Sequence, residues 1–434
     1  MSTMNKMSRI HIKGGHLIDP ANGVDEVTDL WIAGGKVQAV GKAPDGFSAD
    51  QTINAEQQII CPGLIDLSAR IREPGHEHKA TITSETAAAA SAGITSLVCP
   101  PDTKPVIDSP AIVELMLHKA RQSGQSHLHV LGALTSNLEG ELISEMLSLK
   151  NAGVVGMSNA NNPVQNAQTL RHAFEYAATH DLTVFIRPND PSLSDGGCVH
   201  EGPIASRLGL PSIPEAAETV AVARELELIA QTGVRAHFNQ LSTTKAAEMI
   251  GRARHDGLNV TADVAVHQLY LSEVDIREYD SACHLLPPLR SERDRDGLRD
   301  AIKRGTIDAI CSDHQPHEPD AKQAPFPDTA SGLSGLDTLL PLVKRLADEK
   351  LLSLSDVIKC ITATPARILG LEQGQLSVGA RADVCIFDPS MSWFVSSDTI
   401  NSQGHNTPFM GWEMHGRASN TLINGQLIFT TDHD

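Results

Sequence analysis

The stretch PGLIDLSARIREPG, Pro62 to Gly75, holds the side chains with the clearest chemical meaning. An apolar run, Ile59 to Ile65, gives way at Asp66 to a polar segment that ends in the turn pair Pro74-Gly75. Charged groups therefore sit where a buried strand meets a loop. Ser68, Arg70 and Arg72 belong to this segment, Arg187 to VFIRPND, Gln240 to FNQLST, and Asp313 to SDHQPH. One carboxylate of this set, Asp313, could serve as a base or a metal ligand, and three arginines would suit an anion. A zinc site asks for more: three or four imidazole, thiolate or carboxylate ligands converging at about 2.0–2.3 Å.

Other reactive residues are weaker leads. The chain has 19 histidines, so His76, His78, His267, His314 and His317 need no shared role, and His76 and His78 follow a Pro-Gly turn that reads as an exposed loop. The fragment SGLSGL places Ser334 beside Gly335 without a strand-turn-helix context, which argues against a serine nucleophile. No glycine-rich phosphate loop follows a strand. The seven cysteines are odd in number, widely spaced and without a CxxC pair, a pattern of reduced core residues.

The elements that must position these groups follow from the patterning. Residues 9 to about 58 alternate apolar and polar side chains in short runs broken by Gly and Asp, and the pattern returns from Arg381 to Phe387 and from Ser419 to Phe429. Residues 1–58 and 376–434 are therefore expected to form one small β domain. Between them, residues 59–375 alternate strand and helix candidates. The strands should end near Ile65, Val98, Leu131, Val155, Ile186, Phe238, Val264 and Ile310; helices are expected at Ser84–Ala92, Pro163–His180, Ile213–Gln231 and Thr244–His255. Eight such units make an α/β fold of the (β/α)8 barrel type, with an open doubly wound sheet as the alternative. In a barrel the polar strand ends lie together at the catalytic rim.

With 434 residues, 41% of them hydrophobic, the chain can bury a large core. Lys+Arg 35 against Asp+Glu 53 gives a net charge of -18, which disfavours nucleic acid and anionic membranes as partners and suits a cytoplasmic protein. No apolar run is long enough for a membrane span, and the start of the chain lacks the apolar core of an export signal. Met1, Met4 and Met7 offer alternative starts, so disorder is expected there.

Six segments, REPG at Arg72 to Gly75, HEGPIASRLGLPSIPEAAE at His200 to Glu218, LSTTKAAEMI at Leu241 to Ile250, PPLRSERDR at Pro287 to Arg295, SDHQPH at Ser312 to His317 and NTPFMGWEMHG at Asn406 to Gly416, resemble dihydroorotase, an amidohydrolase. The resemblance runs from about Ile10 to Phe429 and implies a barrel with a β-sandwich domain. In that family the first strand reads Asp-x-His-x-His-x-Arg-x-Pro-Gly, the histidines binding zinc; Ser68 and Arg70 stand in their places. The family's bridging carboxylated lysine falls on Ser158-Asn159, its fifth-strand histidine on Arg187 and its sixth-strand histidine on Gln240. Asp313 matches the family's base and metal ligand, and Arg72 its substrate-carboxylate arginine. Asp102 and Leu286 occupy the positions of two substrate-binding asparagines.

The resemblance thus implies a site without metal, cofactor or catalytic residues. Arg70 and Arg187 would also repel an ion: one charge about 4 Å from a divalent cation costs roughly 8 kcal/mol at an effective dielectric near 20, comparable with much of a structural zinc-binding energy. Since first and eighth strands neighbour each other in a closed barrel, Arg70 should pair with Asp313. The chain is most similar to the non-catalytic dihydroorotase-like subunits that some bacteria assemble with aspartate carbamoyltransferase in pyrimidine synthesis. That similarity implies a hetero-oligomer, a dodecamer on the family pattern, with self-association as a further option. Two alternatives are a working zinc amidohydrolase using Asp313 with an unrelated histidine set, and a sensor that binds an anion through Arg70, Arg72 and Arg187. The Pro- and Gly-containing segment from Asp320 to Gly335 reads as a surface loop.

Overall fold

The computed structural model describes residues 8–431. The expectation of disorder at Met1, Met4 and Met7 concerns residues outside that range.

The N-terminal segment supplies β1 (Ile10–Asp19), β2 (Val24–Ala33), β3 (Lys36–Val40), β4 (Gln51–Asn54) and β5 (Ile59–Pro62). Along β1 and β2 one face buries Ile10, Ile12, Leu17, Leu30 and Ile32 in a core of their own. This is what the alternating pattern requires of a half-buried sheet.

The barrel follows, with β6 (Leu64–Asp66), β7 (Ile94–Cys99), β8 (His127–Val130) continued by β9 (Gly132–Ala133), β10 (Met157–Ser158) and β11 (Val184–Ile186). A two-stranded excursion of β12 (Val199–His200) and β13 (Ser212–Ile213) precedes β14 (Ala236–Phe238), β15 (Val260–Ala265) and β16 (Ala309–Cys311). Strands β9 to β16 of the wall pair in parallel in the order β16-β15-β14-β11-β10-β9, and β6, β7 and β8 pair likewise. A parallel bridge between Ala69 and His314 joins the first and last strands, through Arg70 N–H to His314 O at 2.8 Å and His314 N–H to Ser68 O at 3.1 Å. The wall is therefore a closed barrel, and the open-sheet alternative is set aside.

The helices lie near the expected positions at Ile82–Ser91, Ala167–Thr179, Ala216–Thr232 and Thr244–His255. Thr81, Asn166 and Thr243 cap three of them with side-chain oxygens, which fixes where those helices begin. No helix of the described residues is long and apolar enough to cross a membrane.

The C-terminal strands β17 (Val384–Phe394), β18 (Glu413–Ile423) and β19 (Gln426–Thr430) return to the N-terminal ones, in the order β19-β18-β17-β5-β1-β2-β3 with β4 beside β1. Two details differ from the sequence reading. Ile59–Pro62 pairs with β1 and β17 instead of entering the barrel, and Gly63 is the step between the sheets, because a side chain there would meet Thr95 at 2.2 Å. The fourth barrel strand sits at Met157–Ser158, beyond Val155.

Candidate functional site

The rim at the carboxyl ends of the barrel strands gathers the residues singled out above. Among the non-glycine residues there, Arg72 (φ 62°), Ala160 (φ 49°), Gln240 (φ 49°) and Asp313 (φ 50°) hold left-handed backbone. Such conformations cost free energy and persist where a site aims its side chains. The turn at Pro74-Gly75 belongs to this rim: Gly75 has φ 101°, and a Cβ there would lie 2.2 Å from the Lys104 carbonyl oxygen.

Asp313 and Arg70 form the centre. Asp313 is 4% exposed; it accepts hydrogen bonds from Gln315 Nε2 at 3.1 Å and Ser68 Oγ at 3.5 Å, and its Oδ1 lies 3.6 Å from Arg70 Nη1. Burial pushes its pKa up to about 6, against the opposing pull of Arg70 and Arg187. The expected Arg70–Asp313 pair is present, but it is the looser of two. Arg70 donates from Nε to Asp102 Oδ2 at 2.8 Å and from Nη2 to Asn161 Oδ1 at 3.0 Å. Burial works against its charge, and Asp102 and Asp313 together outweigh burial and raise its pKa. Asp102, an acid where the resemblance expects an anion-binding amide, is therefore the main counter-charge of Arg70.

Arg72 points elsewhere. Its Nε donates to Pro316 O at 3.0 Å and its Nη2 lies 2.9 Å from His317 Nε2. Burial, with Arg70 nearby, lowers its pKa to about 10. His317 Nδ1 accepts from Lys79 Nζ at 3.0 Å and its Nε2–H donates to Ser331 O at 2.9 Å, and burial beside Arg72 and Lys79 holds its pKa near 3, so the ring is neutral. Arg70 and Arg72 thus turn donors to the protein itself, Arg70 to Asp102 and Asn161 and Arg72 to Pro316, whereas Arg187 turns none to any described residue.

The remaining positions are separately engaged. Asn159 accepts from Thr135 N–H at 3.2 Å and Thr135 Oγ1 at 2.9 Å, and donates to Asn162 O at 2.6 Å and Leu138 O at 3.3 Å. It ties the loop after β9 to the loop after β10. Ser158 Oγ accepts from Ala160 N–H at 3.0 Å. Gln240 has its N–H bonded to Asp263 Oδ1 at 2.6 Å and its side-chain amide against Cys311 Sγ at 3.9 Å. Asp263 in turn meets His237 Nε2 at 3.0 Å, and Asp66 accepts from Ser312 N–H at 2.9 Å. Arg187 is partly buried; burial lowers its pKa to about 10, and its electrostatic neighbours include Asp313 and Arg70.

The histidines do not make a second centre. His314 bonds Glu85 at 2.8 Å and accepts from Gly335 N–H. His267 is buried with neither ring nitrogen hydrogen-bonded, and burial holds its pKa near 3. His76 and His78 lie on the surface of the loop after Gly75. Among the described residues no three His, Cys, Asp or Glu side chains converge as a metal site would need. The donor set at the rim, with Asp102 and Asp313 both facing the Arg70 guanidinium and Arg187 close by, does not fit zinc. The segment from Asp320 to Gly335 is a surface loop in its first half, where Asp320, Gln323 to Pro325, Pro327 and Asp328 are exposed around a buried Phe326 stacked on His284, and it departs from that reading at Gly332 to Gly335, which are buried. Six of the seven cysteines are buried and all seven are free.

Sequence reasoning missed Asn161, Gln315 and the Asp263–His237 pair. Their roles come from loop folding and cross-strand neighbours that no local pattern encodes.

The chain matches the amidohydrolase family over residues 59–428. It is 47% identical to a dihydroorotase-like protein of Pseudomonas putida over 96% of this chain and 98% of that one. It is 39% identical to a dihydroorotase of Geobacter metallireducens over 96% and 99%. In fold it is similar to an L-hydantoinase from Arthrobacter aurescens, with a TM-score of 0.86 at 23% identity over 98% of this chain and 96% of that one. A barrel flanked by a sheet from both chain ends, carrying these similarities along nearly its whole length, belongs to the amidohydrolase family as a dihydroorotase-like member.

Proposed function

We propose that this chain is a catalytically inactive dihydroorotase homologue that acts as an assembly subunit for aspartate carbamoyltransferase in pyrimidine biosynthesis. One observation carries the reading. Where the family resemblance puts a metal-binding set, the strand ends carry Ser68, Arg70, Asn159, Arg187 and Gln240, with Asp313 as the lone carboxylate and Arg70 3.6 Å from it. An arginine stays protonated at any physiological pH and donates only, so it cannot ligate a cation. Names of relatives add support: two Pseudomonas proteins at 46–47% identity are called dihydroorotase-like, whereas the Geobacter metallireducens protein at 39% is called dihydroorotase.

In this reading the barrel contributes surface and rigidity. A subunit that binds the assembled transferase and not its separated parts stabilises the assembly by mass action, whatever its own pocket does. The rim then serves as structure: Arg70 neutralises Asp102 and Asp313, and Asn159 and Arg72 hold loops. The test is a dihydroorotase assay on the purified chain with zinc supplied, together with its metal content. No turnover and no retained zinc is expected. Zinc-dependent turnover would establish the working-amidohydrolase alternative instead.

A further inference from the structure

A cavity of about 120 Å³ opens beside the rim, lined by Asn161, Arg187, Asn189, Glu218, Leu286 and Arg290 among others. Its lining charges differ in how they are spent. Glu218 accepts from the N–H and hydroxyl groups of Ser242 and Thr243. Arg290 donates to Ser242 Oγ at 3.0 Å and Ile213 O at 3.0 Å. Arg187 is unlike both: among the described residues no hydrogen bond or ion pair reaches its guanidinium. Asn161 is half spent, because its amide oxygen is taken by Arg70 while no described residue accepts from its amide N–H groups.

We infer that this cavity is a binding site for a small oxyanion, a phosphate or carboxylate group, held by the Arg187 guanidinium with the Asn161 amide. A partly buried guanidinium with unused donors is costly to keep, and a planar fork of N–H groups matches two oxygens of such a group. With a pKa near 10, Arg187 is charged at neutral pH. The volume equals about four water molecules. That suits a phosphate or a carboxylate on a short stem, while Leu286, Pro287 and Pro288 give an apolar wall to the rest of a ligand. The site differs from a three-arginine anion site, since Arg70 and Arg72 take no part.

The inference rests on the reading that the rim holds no metal. Isothermal titration of the full chain with inorganic phosphate and, separately, with malonate tests it, with metal content measured on the same sample. Saturable one-to-one binding of either probe is expected, and which probe binds assigns the class. Arg187→Gln should weaken it by on the order of tenfold to a hundredfold, as loss of charge-assisted hydrogen bonds does, and Asn161→Ala by less. Arg72→Gln should change it by under about twofold; an equal loss there overturns the assignment to Arg187. No heat with wild-type protein up to tens of millimolar overturns the site, independently of how any variant folds. If the sample contains stoichiometric metal, the proposed function fails; if it is metal-free and binds neither anion, this inference alone fails.

Discussion

Arg70→Met keeps an unbranched apolar stem and removes the charge between Asp102 and Asp313. At 3.6 Å and an effective dielectric near 20, the Arg70–Asp313 pair amounts to about 4–5 kcal/mol before desolvation. The pair with Asp102 is closer, at 2.8 Å, but Asp102 is 21% exposed and solvent screens part of it. Methionine in turn avoids the cost of burying a guanidinium, so the net loss should be about 2–4 kcal/mol near neutral pH. Urea unfolding followed by circular dichroism measures it. Lowering the pH to about 5 should shrink the loss, because Asp313, with its pKa raised to about 6 by burial, is then mostly neutral and needs no counter-charge. A loss under about 0.5 kcal/mol at both pH values, or one that grows on acidification, would refute the counter-charge role of Arg70.

Two further outcomes follow from the rim. The folded pKa of Asp313 lies above its ordinary 3.8, so its titration contributes stability that is full below about pH 4 and lost as pH rises through about 6. Asp313→Asn removes that dependence: the stability of wild type relative to the variant should fall by about 3 kcal/mol between about pH 4 and pH 7, read from unfolding at each pH. Asn159→Ala leaves Thr135 and the Leu138 and Asn162 carbonyls without their shared partner and should cost about 2–3 kcal/mol, seen as a lowered Tm.

Much of the fold is legible because barrel strands buried on both faces leave continuous apolar runs. VFI before Arg187, AHF before Asn239 and AIC before Ser312 each mark a strand end to within a residue. The fourth strand, two residues long at Met157–Ser158, is too short to leave such a run, and the reading stopped at Val155. Ile59–Pro62 is as apolar as any barrel strand; its place in the small sheet is decided by partners β1 and β17, the latter more than 300 residues away in sequence. At the site, the Arg70–Asp313 contact could be read from topology, since closing a barrel sets first and last strands side by side. The tighter bonds to Asp102 and Asn161 could not, as both partners lie in loops whose course depends on the whole rim. The same holds for Arg72, which turns to Pro316 and His317 and away from the pocket.

The most direct test of the assembly role is co-expression with the aspartate carbamoyltransferase of the same organism, followed by sedimentation and a transferase assay with and without this chain. The account predicts one co-sedimenting hetero-oligomer and a transferase that loses activity or stability when the chain is left out. Two separately sedimenting proteins, with a transferase equally active and stable alone, would contradict it.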